Sequence, residues 1–276
     1  FLMNKKILAV DLDDTLFNDD KSISQENIDA LNKLLDAGHI LAVDTGRPTH
    51  VMVKLLQPYH LFTRPNVYLL GFQGIMGYDV VNDNIIYGHY LDNDAAIRLL
   101  TYGLQAGLTM IAFEYGNIYS FRRDENVEGY AKISREPIEI IDSPEVLKGH
   151  NLTKIMVVNY KDHDSLHSFE DEHRAEMDVH FNSMFSNVAF LEYVVKGASK
   201  GDGLLELASY LDIPAENTIA CGDERNDISM IRAAHIGVAV ANARDELKAE
   251  ADYITTRDNN HGAVAEVIYK FILDDN

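Results

Sequence analysis

Cysteine is nearly missing from this chain. Cys221 stands alone in 276 residues, which excludes an intrachain disulfide and fits a reducing cytoplasm. Positive charge is also scarce: 24 Lys and Arg against 44 Asp and Glu leave a formal charge of −20. So acidic a chain offers little of the basic face that a phosphate backbone needs, which argues against nucleic acid as a main partner. A small anionic ligand is not excluded, provided a local cation offsets the surrounding field. No apolar stretch approaches the length of a membrane span, so no membrane partner is expected, and nothing near Phe1-Leu2-Met3 resembles a signal peptide. Internal repeats, low-complexity segments and Pro/Ser-rich linkers are absent from the sequence, and its length suits one large domain or two modest ones. Nothing in it specifies an oligomeric state.

What is present is a rhythm of short apolar runs and helical patterns. Ile7–Val10 is a continuous run, as expected of a strand buried on both faces, and it ends directly in Asp11-Leu12-Asp13-Asp14-Thr15. Ser24 can cap a helix carrying Ile28, Leu31, Leu34 and Leu35 on one stripe, with Gly38 just past its end. A second run, 40–43, stops at Asp44-Thr45-Gly46-Arg47-Pro48, and a third, 67–70, at Gly71-Phe72-Gln73-Gly74. This alternation marks a parallel, doubly wound sheet. Between about residues 80 and 190 polar and apolar residues alternate, as in Asn117-Ile118-Tyr119-Ser120-Phe121, with helical patterns near 94–105 and 164–174. That texture indicates an α+β insertion with an antiparallel sheet. The first rhythm then returns, with a helix over 200–211, apolar runs at 218–221 and 236–240, and a last helix over 262–272. The expected fold class is α/β: a doubly wound parallel-sheet (Rossmann-like) core from residues 1–83 and 190–276, with an α+β cap domain, 84–189, inserted.

Three carboxylates at the mouth of a buried strand are an expensive arrangement unless a cation or a proton-transfer task accounts for them. The cluster at Asp11 reads as a solvated turn, as a calcium loop or as a nucleophilic centre. A calcium loop needs Gly at its sixth position and an acid at its twelfth; Leu16 and Ser22 stand there, so that reading fails. In the nucleophilic reading Asp11 attacks an electrophile and Asp13 handles the proton. Thr45, beside Gly46, can donate to a phosphate oxygen or cap a helix. Arg47 can touch a phosphate or form a surface ion pair. Lys200 opens an expected helix behind Ser199, where it opposes the helix dipole unless an anion is near; the alternative is an ordinary exposed lysine. Asp223 and Asp227 offer hard oxygen ligands of the kind Mg²⁺ takes, and Asn226 a neutral donor. All four clusters fall just beyond the carboxyl end of an expected strand, where open α/β sheets bind ligands. One shared site accounts for them better than four coincidences.

Taken in order, Asp11 to Thr15, Thr45-Gly46-Arg47, Lys200, and Gly222-Asp223-Glu224-Arg225-Asn226-Asp227 resemble the four motifs of the haloacid-dehalogenase superfamily. The insertion between the second and third resembles the large cap of its Cof-type sugar-phosphatase branch, and the likeness runs on through Val238-Ala239-Val240-Ala241-Asn242-Ala243. The resemblance implies a Mg²⁺-dependent phosphatase acting on a small phosphorylated metabolite, a sugar phosphate or a cofactor-like phosphate. Asp11 would be the nucleophile that forms an aspartyl-phosphate, and Asp13 the acid and base. Thr45 and Lys200 would hold the phosphoryl oxygens, with Asn226 near the phosphate. Asp11, Asp223 and the carbonyl of Asp13 would bind Mg²⁺, with Asp227 in support, and the cap would supply specificity. A carboxylate at Asp13 also separates the chain from the dehalogenase members, which lack that acid/base.

Three departures stand out. Asp14 occupies a position where many relatives have glycine, Phe72-Gln73-Gly74 replaces the usual Asn-Gly pair, and Lys196 offers a second lysine four residues before Lys200. A receiver-type signalling module, with Asp44 as its phosphoacceptor, is a reading from another class. A receiver is roughly half this length, however, and leaves 222–227 unexplained. A phosphomutase would keep the same four motifs.

Overall fold

The computed structural model describes residues 5–273; Phe1-Leu2-Met3 lie outside them. The chain enters through β1 (Ile7–Val10), buried on both faces as its unbroken apolar run requires. Ser24 caps α1 (Gln25–Asp36), its Oγ accepting from the Asn27 amide at 3.2 Å, and the helix buries Ala30, Leu31, Leu34 and Leu35. β2 (Ile40–Asp44), α2 (Thr49–Leu56) and β3 (Val67–Gly71) follow, and β1, β2 and β3 pair in parallel. Phe72, Gln73 and Gly74 then all adopt positive φ. This turn sends β4 (Met76–Asp79) back antiparallel along β3, with β5 (Asn84–Gly88) antiparallel beyond it.

Residues 89–197 form one compact unit and the rest of the described chain the other. The boundaries differ from those expected at 84 and 189. Asn84–Gly88 completes a hairpin on the first sheet, and β-sheet pairing likewise keeps 190–195 in the second. The second unit runs α3 (Asn93–Gln105), β6 (Thr109–Glu114), β7 (Asn117–Ser120), α4 (Glu125–Ser134), β8 (Glu139–Ile140), β9 (Leu152–Val158), α5 (His163–Met177), β10 (Phe181–Asn187) and β11 (Phe190–Val195). Its sheet has the order β10-β11-β9-β6-β7-β8 and is antiparallel except between β7 and β8. Alternation along β9 sends Ile155 and Val157 into a core with Leu99 and Leu100 of α3 and Leu166 and Phe169 of α5. Met156 and Val158 point the other way, into a smaller cluster with Ile111, Phe113 and Val127 of α4.

The chain returns to the first unit with α6 (Lys200–Tyr210), β12 (Thr218–Gly222), α7 (Ile228–Ala233), β13 (Ile236–Ala239), α8 (Asp245–Lys248), β14 (Tyr253–Ile254) and α9 (Ala263–Ile268). The completed eight-stranded sheet has the order β14-β13-β12-β1-β2-β3-β4-β5, parallel from β14 to β3, with α1 packed on α9 and α6 on α7. This is the α/β doubly wound architecture, and β1 lies at its middle, where successive connections run off in opposite directions. Among the described residues no helix is long and apolar enough to cross a membrane.

Candidate active site

Strand register gathers the site. Val10 pairs with Cys221 on one side and Val43 on the other, so β1, β12 and β2 end level with one another. Asp11, Thr45 and Asp223 therefore leave the sheet at the same rim. Lys200 reaches it from the first turn of α6, whose N-cap is Ser199. Its fully buried Nζ donates to Asp11 Oδ1 and to Asp227 Oδ1, both at 2.5 Å. These are the anions that make a lysine at a helix start acceptable. Lys196 donates instead to the Asp178 carbonyl in the second unit.

Asp227 is the organiser of its loop. Its second oxygen accepts from the amides of Asp223 at 2.9 Å and Glu224 at 3.1 Å. The carboxyl folds back so closely over Gly222 that a Cβ there would sit 2.6 Å from it, which explains the glycine at the head of this motif. Asp223 Oδ1 accepts from Thr15 Oγ1 at 2.8 Å. Asp11 Oδ2 and Asp223 Oδ2 carry no hydrogen bond from the described residues, and carboxylate oxygens of Asp11, Asp223 and Asp227 lie within 4.8 Å of one another. Hard oxygen donors converging at that spacing fit a divalent cation such as Mg²⁺.

The electrostatics agree with that donor set. Burial, reinforced by the charges of Asp227 and Asp223 and opposed by Lys200, pushes the Asp11 carboxyl up to about 8. Burial likewise raises Asp223 to about 6, with Asp227 adding to it and the Thr15 hydrogen bond opposing it. One ammonium does not balance this many carboxylates. Asp44 completes the excess: fully buried, with neither carboxyl oxygen hydrogen-bonded, it is held well above the usual carboxylate range by desolvation.

Asp13 lies in different surroundings. Arg47 grips it in a bidentate pair, Nε to Oδ2 at 2.8 Å and Nη2 to Oδ1 at 3.0 Å, and Lys21 adds a contact at 3.3 Å. Burial alone would raise its pKa, but the hydrogen bond and charge of Arg47, with Lys21, outweigh that and lower it. Thr45 is buried, and its Oγ1 accepts from the Arg47 amide at 3.3 Å. Asn226 is exposed and donates from Nδ2 to Gln73 Oε1 at 3.0 Å.

Every residue given a catalytic, phosphate or metal role in the sequence thus lies on the first unit, but not in one contact set. Asp11, Lys200, Asp227 and Asp223 converge; Asp13 pairs with Arg47; Asn226 meets Gln73. Three participants had no role in the sequence reading. Thr15 was visible within the acidic motif, and Gln73 was visible as a departure. Asn242, whose Nδ2 donates to the Asp14 carbonyl at 2.8 Å, lay in a stretch noted only for its likeness.

Comparison with known proteins places these features in company. A sequence model described as haloacid dehalogenase-like hydrolase matches residues 8–268. The chain is 27% identical over 270 residues to the 5-amino-6-(5-phospho-D-ribitylamino)uracil phosphatase YitU of Bacillus subtilis, covering 96% of this chain and 97% of that one. A solved haloacid dehalogenase-like hydrolase from Bacteroides thetaiotaomicron superposes with a TM-score of 0.83 at 28% identity, covering 96% and 98% of the two chains. The structure of TM0651 from Thermotoga maritima gives a TM-score of 0.86 at 21% identity, over 96% and 97%; at that identity the likeness is one of fold.

Proposed function

The chain belongs to the haloacid dehalogenase-like hydrolase family, and from that premise we propose a Mg²⁺-dependent phosphatase that hydrolyses a small phosphorylated metabolite through a phosphoryl group carried on Asp11. The observation that carries this reading is the buried lysine bridging Asp11 and Asp227, with Asp223 in reach of both. An ammonium there fixes the attacking carboxylate and keeps its third N–H for a phosphoryl oxygen. Phosphoryl transfer asks a protein mainly for such positioning and charge.

In the proposed reaction a carboxylate oxygen of Asp11 attacks phosphorus, the bond from phosphorus to the ester oxygen breaks, and Asp13 gives that oxygen its proton. Asp13, now ionised, takes a proton from water, whose oxygen attacks the same phosphorus. Inorganic phosphate leaves and the Asp11 carboxylate is restored. Thr45 and Lys200 hold the phosphoryl oxygens, with Asn226 beside them. Asp11, Asp223 and the Asp13 carbonyl would hold Mg²⁺, with Asp227 in support; bound there, the ion supplies positive charge to the phosphoryl oxygens. The ion pair with Arg47 opposes protonation of Asp13. A phosphate dianion offers Arg47 a competing partner, so substrate itself would free the acid for its task.

Asp11→Asn is expected to abolish hydrolysis while leaving the circular dichroism spectrum unchanged, and undiminished turnover by that variant would rule out the mechanism. EDTA should silence the wild-type protein and Mg²⁺ restore it. Release of inorganic phosphate without an isomeric product separates the phosphatase from a phosphomutase. The receiver reading finds no support in the burial of Asp44, which gives a phosphodonor no access. A screen over sugar phosphates, nucleotides, and pyridoxal and flavin phosphates, with and without Mg²⁺, identifies the substrate class. The likeness to YitU puts a phosphoribityl compound among the first to try.

A further inference from the structure

Between the loops that carry Thr45 and Asn226 lies a residue to which the reaction above gives no task. Phe72, Gln73 and Gly74 follow β3 with φ of +53°, +64° and +82°. Two of these have side chains, for which the left-handed region is unfavourable. Such conformations persist only where the surroundings hold them, and they gather at functional sites. Here the run brings two amides to bear on one loop: Phe72 N donates to the Arg47 carbonyl at 3.1 Å and Gln73 N to the Thr45 carbonyl at 3.0 Å, on either side of Gly46.

The half-buried side chain of Gln73 then passes over Gly46. A Cβ on Gly46 would lie 2.5 Å from Gln73 Nε2, so glycine at that position leaves the amide its place. Beyond it, Oε1 accepts from Asn226 Nδ2 at 3.0 Å. Asn226 is exposed on the short turn Arg225–Asp227, and this is the one hydrogen bond of its side chain among the described residues. Gln73 therefore joins the second motif, through its backbone, to the fourth, through its side chain.

We infer that Gln73 is a positioning residue: it tethers Asn226 to the Thr45 loop and so sets the spacing of the groups that hold the phosphoryl oxygens. The inference rests on the proposed phosphate-holding roles of Thr45 and Asn226. With Oε1 engaged by Asn226, the two Nε2 donors remain on the Gly46 side, a polarity that suits an oxyanion rather than a cation.

Gln73→Leu leaves an aliphatic side chain beside Gly46 and removes the amide. The expected result is a rise of about tenfold in the Kd for inorganic phosphate, measured by calorimetry, and in KM for p-nitrophenyl phosphate, with kcat within about threefold and Tm unchanged. Asn226→Ala should raise the phosphate Kd at least as far, and the double variant should bind phosphate no worse than the weaker single, because the same connection is broken in each. A phosphate Kd unmoved by Gln73→Leu, or losses that multiply in the double variant, overturns the tether. A drop in Tm that accounts for the lost binding overturns it as well, since that marks a merely structural role. Calorimetry needs no turnover. A wild-type protein that binds phosphate but cleaves no ester therefore refutes the phosphatase and leaves the cycle to decide on Gln73; one that binds no phosphate refutes both.

Discussion

A lysine with no solvent contact is tolerable only because carboxyl groups lie against it, and those groups depend on it in turn. Lys200→Met is expected to lower stability by about 3 kcal/mol in urea unfolding, because it strands the buried carboxyls of Asp11 and Asp227. It should also lower turnover by about a hundredfold or more, since a preformed donor to the phosphoryl group goes with it. The place of Lys200 was legible only through the four motifs taken together, since a lysine at a helix start reads equally well as an exposed one. The pairing of Asp13 with Arg47 and of Thr15 with Asp223 was not legible: the partners lie 34 and 208 residues apart, and only strand register brings them together. Asp14 is intermediate. Its φ of +57° explains why glycine is usual there, and aspartate is among the few side chains that tolerate it.

Helix ends were the most readable elements, because Ser24 and Ser199 announce caps by residue type alone, and both caps form. The helix Glu125–Ser134 left little trace in the sequence, since Val127 is its one buried side chain. Its cap makes a pH-dependent prediction. Asp124 accepts from the Val127 amide, Thr109 Oγ1 and Arg122 Nε, and these bonds outweigh its burial and hold its pKa below the usual value. A carboxyl lowered in the folded state adds stability above the ordinary carboxylate pKa and loses it as pH falls through the folded one. Asp124→Ala should therefore cost about 1 kcal/mol at pH 7, with the gap from wild type narrowing below about pH 4 in parallel urea titrations. A second element-scale test concerns α6. A Cβ on Gly203 would lie 2.7 Å from the Gly74 carbonyl and 2.9 Å from the Tyr87 hydroxyl. Gly203→Ala should push the first turn of α6 off the 74–76 segment, costing about 1–3 kcal/mol. Turnover should fall as well, because Lys200 moves with that turn; full activity at reduced Tm would show that the site absorbs the shift.

At the scale of the whole molecule, the alternation of textures foretold two kinds of sheet, but the seam was displaced. Hairpin pairing of 84–88 with 76–79 extends the first sheet past the point where the parallel rhythm stops. Likewise 190–195 pairs with 152–158 although its apolar run looks like a core strand. Because the second unit is one uninterrupted stretch with its own apolar core, residues 89–197 expressed alone should fold, giving a single cooperative urea transition and dispersed amide resonances. The first unit has no such independence, since its central strand β1 is flanked by β2 from the first part of the chain and by β12 from the last.

That central pairing has a use beyond architecture. Cys221 sits in β12 between Val10 and Val238, wholly enclosed, with its thiol held in the neutral form by burial. A thiol reagent can reach the chain's one thiol only when β12 parts from its neighbours. The rate of labelling under native conditions is therefore a clock for the rarest opening of the fold, set one residue from the loop that carries Asp223.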